Sequence, residues 1–166
     1  MTQKAIIVGL HDAKKAHLRW ISRVEDLVGN ALSDSPLIES SATECVLGKW
    51  LISEFKSLDR NSKIYTSFAT VDTLHKELHD LYLDILALKS GKGQNKMMFG
   101  IQKIVLWWHP ILSVSSQIKK KYHLLKDKSE ELFAALDVLE GAISMHGAQI
   151  FKYTGKVASN AMGPGS

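Results

Sequence analysis

Apolar residues recur every three or four positions along most of this 166-residue chain, and this period constrains the fold more than any other feature. It is the period of an α-helix that buries one face. The first such stretch spans residues 5–27, and Gly29-Asn30 ends it. No strand-like alternation and no internal repeat stands out. The pattern therefore predicts an all-α protein.

Four further helices are predicted from the same pattern. The second begins with Ser41-Ala-Thr-Glu44, which fits a capping box, and ends before residue 57. The third spans about 65–89, the fourth about 95–125 and the fifth 129–153, and Pro110 is expected to kink the fourth near Leu106. Short connections between these helices predict an antiparallel four-helix-type bundle with an additional C-terminal helix.

Length and composition are typical of one globular domain. Hydrophobic residues make up 45% of the chain, and a single cysteine excludes an internal disulfide. We expect residues 1–154 to form a single helical domain. Residues 155–166 contain few apolar side chains and end in SNAMGPGS, so we expect a flexible tail that resembles cloning-vector sequence.

The charge distribution argues against a nucleic-acid partner. The net charge is only +4, and the densest basic cluster, residues 119–121, is typical of a solvated helix face. The longest apolar stretch, 101–114, contains Lys103 and Pro110 and is too short to cross a bilayer. Without a membrane segment or a recognisable signal peptide, we expect a cytoplasmic protein.

Three histidines and the only cysteine occupy positions where buried polar groups are costly. His75 and His79 share one helix face at i and i+4, and His17 lies within the apolar stripe of the first helix. Each alone is ordinarily a hydrogen-bonded core residue, and Cys45 alone is ordinarily a small buried hydrophobe. One metal ion would explain all four together, since zinc accepts cysteine sulfur and histidine nitrogen in a tetrahedral shell.

Three short motifs occur in a fixed order around these residues. They are His17-Leu-Arg-Trp20, Cys45-Val-Leu47-Gly48-Lys-Trp50 and His75-Lys-Glu-Leu-His79. In this order they resemble the chemoreceptor zinc-binding (CZB) domain family of bacterial signalling proteins, over residues 13–86. The resemblance implies that His17, Cys45, His75 and His79 bind one zinc ion per chain. It also implies supporting roles for Gly48, which would allow the close approach of a neighbouring helix, and for the two tryptophans, which would shield the site.

The resemblance implies a sensory function without catalysis. Four protein ligands leave no open position for a catalytic water. We therefore expect a regulatory domain of signal transduction that responds to zinc occupancy and to oxidation of Cys45, hypochlorous acid being one oxidant the family implies. Implied partners are a signalling output domain or protein and a second copy of the chain in a homodimer. The methyl-accepting and diguanylate cyclase domains usual in this family are not evident here.

Three other functions fit parts of the sequence. A static zinc site in a structural or protein-interaction bundle would use the apolar surface around Met97, Met98, Trp107 and Trp108. A di-iron site needs several inward carboxylates, but only Asp72 precedes His75 at a suitable spacing. A thiol enzyme would need an oxyanion site beside Cys45, and none is evident. The remaining histidines are expected to be surface or capping residues: His11, His109, His123 and His146.

Overall fold

The computed structural model describes residues 3–29, 38–55, 62–90 and 109–160. These ranges contain four α-helices and no strand: α1 (Gln3–Gly29), α2 (Val46–Phe55), α3 (Lys63–Lys89) and α4 (His109–Asn160). The prediction of an all-α helical bundle is confirmed. None of the described helices combines the length and the apolarity that a membrane-spanning segment needs.

The apolar stripe read from the sequence is the buried face of α1. Its seven buried positions are spaced by three or four residues, and they are Ile6, Leu10, Ala13, His17, Trp20, Val24 and Leu27. At one end of the bundle, the Lys89 ammonium of α3 donates to the Leu27 carbonyl of α1 at 2.7 Å. This bond satisfies a carbonyl that the end of α1 leaves free.

The core lies where α4 packs against both α1 and α3, and α2 packs against α1 and, less extensively, against α3. Ion pairs reinforce these contacts at the surface. The Lys14 ammonium of α1 lies 2.7 Å from Asp137 and 2.6 Å from Glu140 of α4. Lys121 of α4 lies 2.6 Å from Asp84 of α3.

Residues 109–160 form one helix, which corrects the prediction of separate fourth and fifth helices with a break at 126–128. The physical reason is that the buried stripe continues through the charged segment, with Leu125, Ser129 and Leu132 all buried. Glu131, taken as part of an acidic helix start, instead pairs with Lys128 at 2.8 Å within the helix. The acidic residues therefore lie in the middle of α4 and do not begin a new helix.

Several sequence expectations concern the two ends of α4 and the residues beyond them. Pro110 lies in the first turn of α4, where its missing N–H leaves no bond unmade. The expected kink near Leu106, and the surface around Met97, Met98, Trp107 and Trp108, lie outside the described residues. Helix α4 continues through residues 155–160, the first part of the expected tail, and residues 161–166 lie outside the described ranges.

Candidate metal centre

Three histidines from two helices meet in the core. His17 lies in the middle of α1, and His75 and His79 lie one turn apart on α3. One ring nitrogen from each histidine lies within 4.8 Å of those of the other two. The three residues are only 1–2% exposed. The structure thus brings together three of the four residues that the sequence predicted as ligands.

Cys45 lies beside this group, in contact with one of its members. Its sulfur is 3.1 Å from Nε2 of His75, and the residue is 5% exposed. The group whose ligand atoms all lie within 4.8 Å contains the histidines alone, so the sulfur adjoins that group through His75. The thiol can also donate weakly to the Ala42 carbonyl, 3.7 Å away.

The start of α2 positions the Cys45 sulfur. The helix begins at Val46, and the Gly48 backbone N–H donates to Sγ of Cys45 at 3.3 Å. Cys45 therefore occupies the N-cap position, where its side chain satisfies a free backbone donor. The sequence placed Cys45 inside the first turn of the helix. At the N-cap, the sulfur lies at the positive end of the α2 dipole.

The predicted capping box at Ser41 does not begin α2. The Ser41 hydroxyl accepts from the Thr43 N–H at 3.3 Å, and the Ser41 carbonyl accepts from the Glu44 N–H at 3.1 Å. These bonds stabilise a separate turn over residues 42–44. The turn delays the helix by several residues because it folds back against Gly48, as described below.

Buried nitrogen atoms without partners indicate that the histidine group fits a metal ion. Both ring nitrogens of His17 and Nε2 of His79 are buried and accept or donate no hydrogen bond. The Nδ1–H of His79 donates to the Ser40 carbonyl at 3.1 Å, which leaves the lone pair on Nε2. Buried polar atoms are rarely left unpaired. Imidazole lone pairs and a thiol form the donor set that zinc prefers.

Burial sets the protonation state of the site. It lowers the pKa of His17 and of His75 to about 3, and it lowers the pKa of His79 as well. All three imidazoles are therefore neutral at pH 7, which is the form that binds metals. Burial also raises the pKa of the Cys45 thiol, although backbone N–H groups of Gly48 and Leu47 oppose this shift. In the zinc-free protein, Cys45 is therefore a protonated thiol.

Aromatic rings enclose the histidines. The Trp20 ring stacks on His17 with 5.3 Å between ring centroids and lies 4.6 Å from His79. Its Nε1–H donates to the Glu39 carbonyl at 2.9 Å. Phe133 of α4 covers His17 from the other side, with 6.0 Å between centroids. The shielding role expected of Trp20 agrees with this position.

Gly48 allows two groups to approach α2 very closely. A Cβ atom there would lie 1.7 Å from the Ala42 carbonyl oxygen and 3.2 Å from Cε1 of His75. The close approach expected of Gly48 is therefore made mainly by the backbone of the 42–44 turn, and also by a side chain of α3. Any side chain at this position would push the turn away from α2.

Sequence analysis missed contributions made by backbone atoms and by distant side chains. The Ser40 carbonyl orients His79, but a backbone acceptor in an irregular segment has no sequence signature. Gly9 of α1 allows Trp50 to pack, because a Cβ there would lie 2.8 Å from the indole Nε1. Its place near the buried stripe of α1 could have indicated a close contact, since glycine is unfavourable within helices.

Within the described residues, no carboxylate joins the histidine group, so the oxygen ligands of a di-iron site are missing from it. The Asp72 carboxylate instead pairs with Lys76 at 2.6 Å. His11 lies at the surface and pairs with Glu140 at 2.8 Å, and His123 is exposed, as expected. The side chains of His109 and His146 lie outside the described part of the chain.

Fold and site together define a helical bundle with a buried, nitrogen-rich group of side chains that could hold a metal ion. Residues 17–86 match the family model of the chemoreceptor zinc-binding domain, and they include His17, Cys45, His75 and His79. The match covers less than half of the chain, and within that segment it supports a similarity to this family. The match supports a zinc-binding domain of the bacterial chemoreceptor type in this segment, and the matched family is one of regulatory domains. Neither the comparison with curated proteins nor that with solved structures found a match.

Proposed function

We propose that this chain is a sensory domain that binds one zinc ion through His17, Cys45, His75 and His79 and signals the occupancy of this site. The observation that carries the proposal is the group of buried imidazole nitrogens that lack hydrogen-bond partners. The contact between Cys45 and His75 supports the thiol as the fourth ligand. The family match supports zinc as the metal.

The proposed ligands lie on three different elements, which explains how occupancy would change the fold. His17 belongs to α1, Cys45 caps α2, and the other two histidines belong to α3. Helix α2 is only 10 residues long. Its position relative to α1 and α3 would therefore depend on whether its cap is tied to the histidines. We propose that this shift of α2 is the signal that an output domain or protein receives.

Oxidation of Cys45 is the second stimulus in this proposal. Zinc, when bound, would hold the Cys45 sulfur as a thiolate. The thiolate sulfur attacks one oxygen of hydrogen peroxide and the O–O bond breaks. Cys45 becomes a sulfenic acid, and the other oxygen departs as hydroxide. The added oxygen would have to fit between the Ala42 carbonyl and His75, so the sulfur would lose its bond from Gly48 and α2 would move. In the zinc-free protein, the raised pKa of the thiol predicts slow oxidation.

Oxidation can be tested by adding peroxide to zinc-loaded protein. We expect zinc to appear on a chromogenic chelator in step with a mass increase on the peptide that contains Cys45. Oxidation of Cys45 while the zinc stays bound would contradict a redox switch.

The ligand set also bears on catalysis and assembly. Four protein ligands would leave no position for a reacting water, so we propose regulation without an enzymatic reaction.

We further propose that the domain acts in the cytoplasm as a homodimer, as the resemblance to its family implies. Light scattering at high protein concentration tests the dimer, and a strict monomer would contradict it.

Metal analysis tests the central proposal directly. We expect about one zinc per chain in the wild-type protein by mass spectrometry and none in the paired His75→Ala, His79→Ala variant. His123→Ala removes an exposed histidine outside the site and serves as the matched control. A wild-type protein that takes up no zinc under reducing conditions would overturn the proposal.

A static structural zinc site is the second candidate, because the same three elements would be cross-linked in either case. Hydrogen exchange separates the two functions. A sensor predicts faster exchange in residues 38–55 when zinc is removed, while α4 keeps its protection. A static site predicts that zinc removal loosens the whole bundle at once.

A further inference from the structure

A cleft of about 530 Å³ leads from the surface towards the proposed ligands. Four of its lining residues are buried, namely His17, Trp20, Cys45 and Leu47. Among the charged lining residues, Arg19 and Glu39 are exposed and Arg23 is half-buried. The cleft therefore connects two of the proposed ligands, His17 and Cys45, with charged side chains that are accessible to solvent.

A two-residue segment beside this cleft is hydrogen-bonded to α1 and to α3. The Glu39 carbonyl accepts from Trp20 of α1, and the Ser40 carbonyl accepts from His79 of α3, at 2.9 and 3.1 Å. We call Glu39 and Ser40 the strap. The proposed ligands are at most 5% exposed, and an ion that reaches His17 and Cys45 through this cleft passes Glu39, which lines it.

One exposed ion pair holds the outer side of the strap. The Arg23 guanidinium donates to the Glu39 carboxylate at 2.7 Å, and the two side chains are 42% and 43% exposed. Arg23 lies on α1 three residues after Trp20, so the pair fastens the strap to the same helix at a second point. Unlike the two carbonyl contacts, it touches none of the proposed ligands or the tryptophan that covers them.

We infer that the Arg23–Glu39 ion pair is a latch on the zinc passage, holding the strap over the cleft and limiting the rate of zinc exchange. This inference rests on the proposed zinc site and adds two residues with a kinetic role. Neither residue is a proposed ligand, so we expect the ion pair to be equally favourable with and without zinc. Opening it therefore speeds binding and release equally and leaves the dissociation constant unchanged.

Two substitutions test the latch, since each breaks the ion pair but changes the charge in the opposite direction. Arg23→Gln removes a positive charge from the mouth, and Glu39→Gln removes a negative charge. Exposed pairs of this kind contribute enough to change an opening equilibrium by about two- to fivefold. We expect both variants to release zinc to an excess of chromogenic chelator about two- to fivefold faster than the wild-type protein.

The double variant and a control separate the latch from general effects. The Arg23→Gln, Glu39→Gln double variant should release zinc as fast as either single variant, because one substitution already opens the latch. Lys121→Gln breaks a similarly exposed pair with Asp84, far along α3 and α4, and should not change the rate. Zinc content should match in all five proteins, and the dissociation constants of Arg23→Gln and Lys121→Gln should match the wild-type value.

Three results would overturn the inference. Unchanged release in both single variants would mean that zinc does not pass the strap. Opposite effects of the two substitutions would mean that the charges steer the ion and no latch exists. A wild-type protein without zinc would overturn the proposed function together with the latch, whereas normal zinc content with unchanged rates would overturn the latch alone.

Discussion

Gly48 shows how much a single residue can control at this site. The missing side chain leaves room for the Ala42 carbonyl, whose turn precedes Cys45, and for the His75 ring. Cys45 and His75 both depend on this approach because the turn and α2 meet at Gly48. The residue is therefore part of the site although it offers no ligand atom.

We predict that Gly48→Ala lowers zinc affinity, because the turn and the Cys45 sulfur must move to admit the new carbon. A Cβ at 1.7 Å from an oxygen cannot be accommodated in place. Calorimetric titration with zinc measures the effect. Gly141→Ala in α4 is the control, since a Cβ there meets only Met145 at 4.0 Å and should raise stability by about 0.5–1 kcal/mol. Equal zinc affinities in both variants would contradict the role of Gly48.

The buried histidines predict that zinc-free protein loses stability in mild acid. Burial lowers the pKa of His17 and His75 from 6.5 to about 3, so the unfolded chain binds protons that the folded chain excludes. Their contribution to stability is complete above pH 6.5 and is lost as the pH falls towards 3. Each histidine lowers the free energy of unfolding by up to about 1.4 kcal/mol per pH unit in this window.

Urea denaturation of zinc-free protein between pH 7.5 and 5 measures this slope. His17→Leu should reduce the slope by one proton, and the exposed His123→Ala should leave it unchanged. A stability that does not vary over this range would show that the histidines are hydrated or paired.

At the scale of elements, the short helix α2 and the long helix α4 depart most from the sequence prediction. Cys45 both caps α2 and lies against His75, so one sulfur atom combines a structural role with the proposed metal ligand. These two roles can be separated, because serine is among the best N-cap residues but a poor ligand for zinc.

We predict that Cys45→Ser keeps the stability of the zinc-free protein but lowers zinc affinity by at least about tenfold. The serine hydroxyl still accepts from the Gly48 N–H, but it replaces the thiolate. Cys45→Ala should lose the cap as well, at a cost of about 1 kcal/mol. Thermal denaturation and zinc titration of both variants check the two roles. Similar stabilities for the serine and alanine variants would argue against the cap.

The continuity of α4 predicts a difference between two substitutions at Asp127. This exposed residue lies where the sequence predicted a break between helices, but the structure places it within α4. In a helix interior, Asp127→Gly should be about 1 kcal/mol less stable than Asp127→Ala. Urea denaturation measures the difference. Equal stabilities would indicate a loop at this position.

At the scale of the whole molecule, the proposed ligands connect three of the four helices in the described ranges. Helix α4 makes most of the contacts that α1 and α3 form with other helices, and its Phe133 packs against His17. It supplies no proposed ligand. The bundle can therefore keep its core around α4 while the zinc site changes. This division between a constant core and a metal-dependent face is what a sensor requires.

We predict that zinc stabilises the folded protein by mass action. At free zinc 100-fold above the dissociation constant, the free energy of unfolding should rise by about 2.7 kcal/mol. Removing zinc with a chelator should lower the Tm accordingly, as scanning calorimetry would show. The paired His75→Ala, His79→Ala variant should not respond to zinc. A wild-type Tm that does not change when zinc is added or removed would contradict binding by the folded state.

Much of this protein could be predicted from local sequence patterns. The helical period predicted α1 and α3 closely, because burial of one face repeats along each helix regardless of its neighbours. The i, i+4 spacing placed His75 and His79 on one face for the same reason. The motif order indicated the family that the segment 17–86 matches. Zinc ligation by His17, Cys45, His75 and His79 stays a prediction.

Only the tertiary structure decided how the segments between helices meet the site. The contact of Cys45 with His75, the Ser40 carbonyl bound to His79 and the Arg23–Glu39 ion pair all join residues far apart in the chain. The unbroken α4 belongs with them, since packing against α1 and α3 outweighs a charged segment that resembles a helix start. Backbone acceptors and packing partners carry no periodic signal, so these features become visible only when the chain is folded.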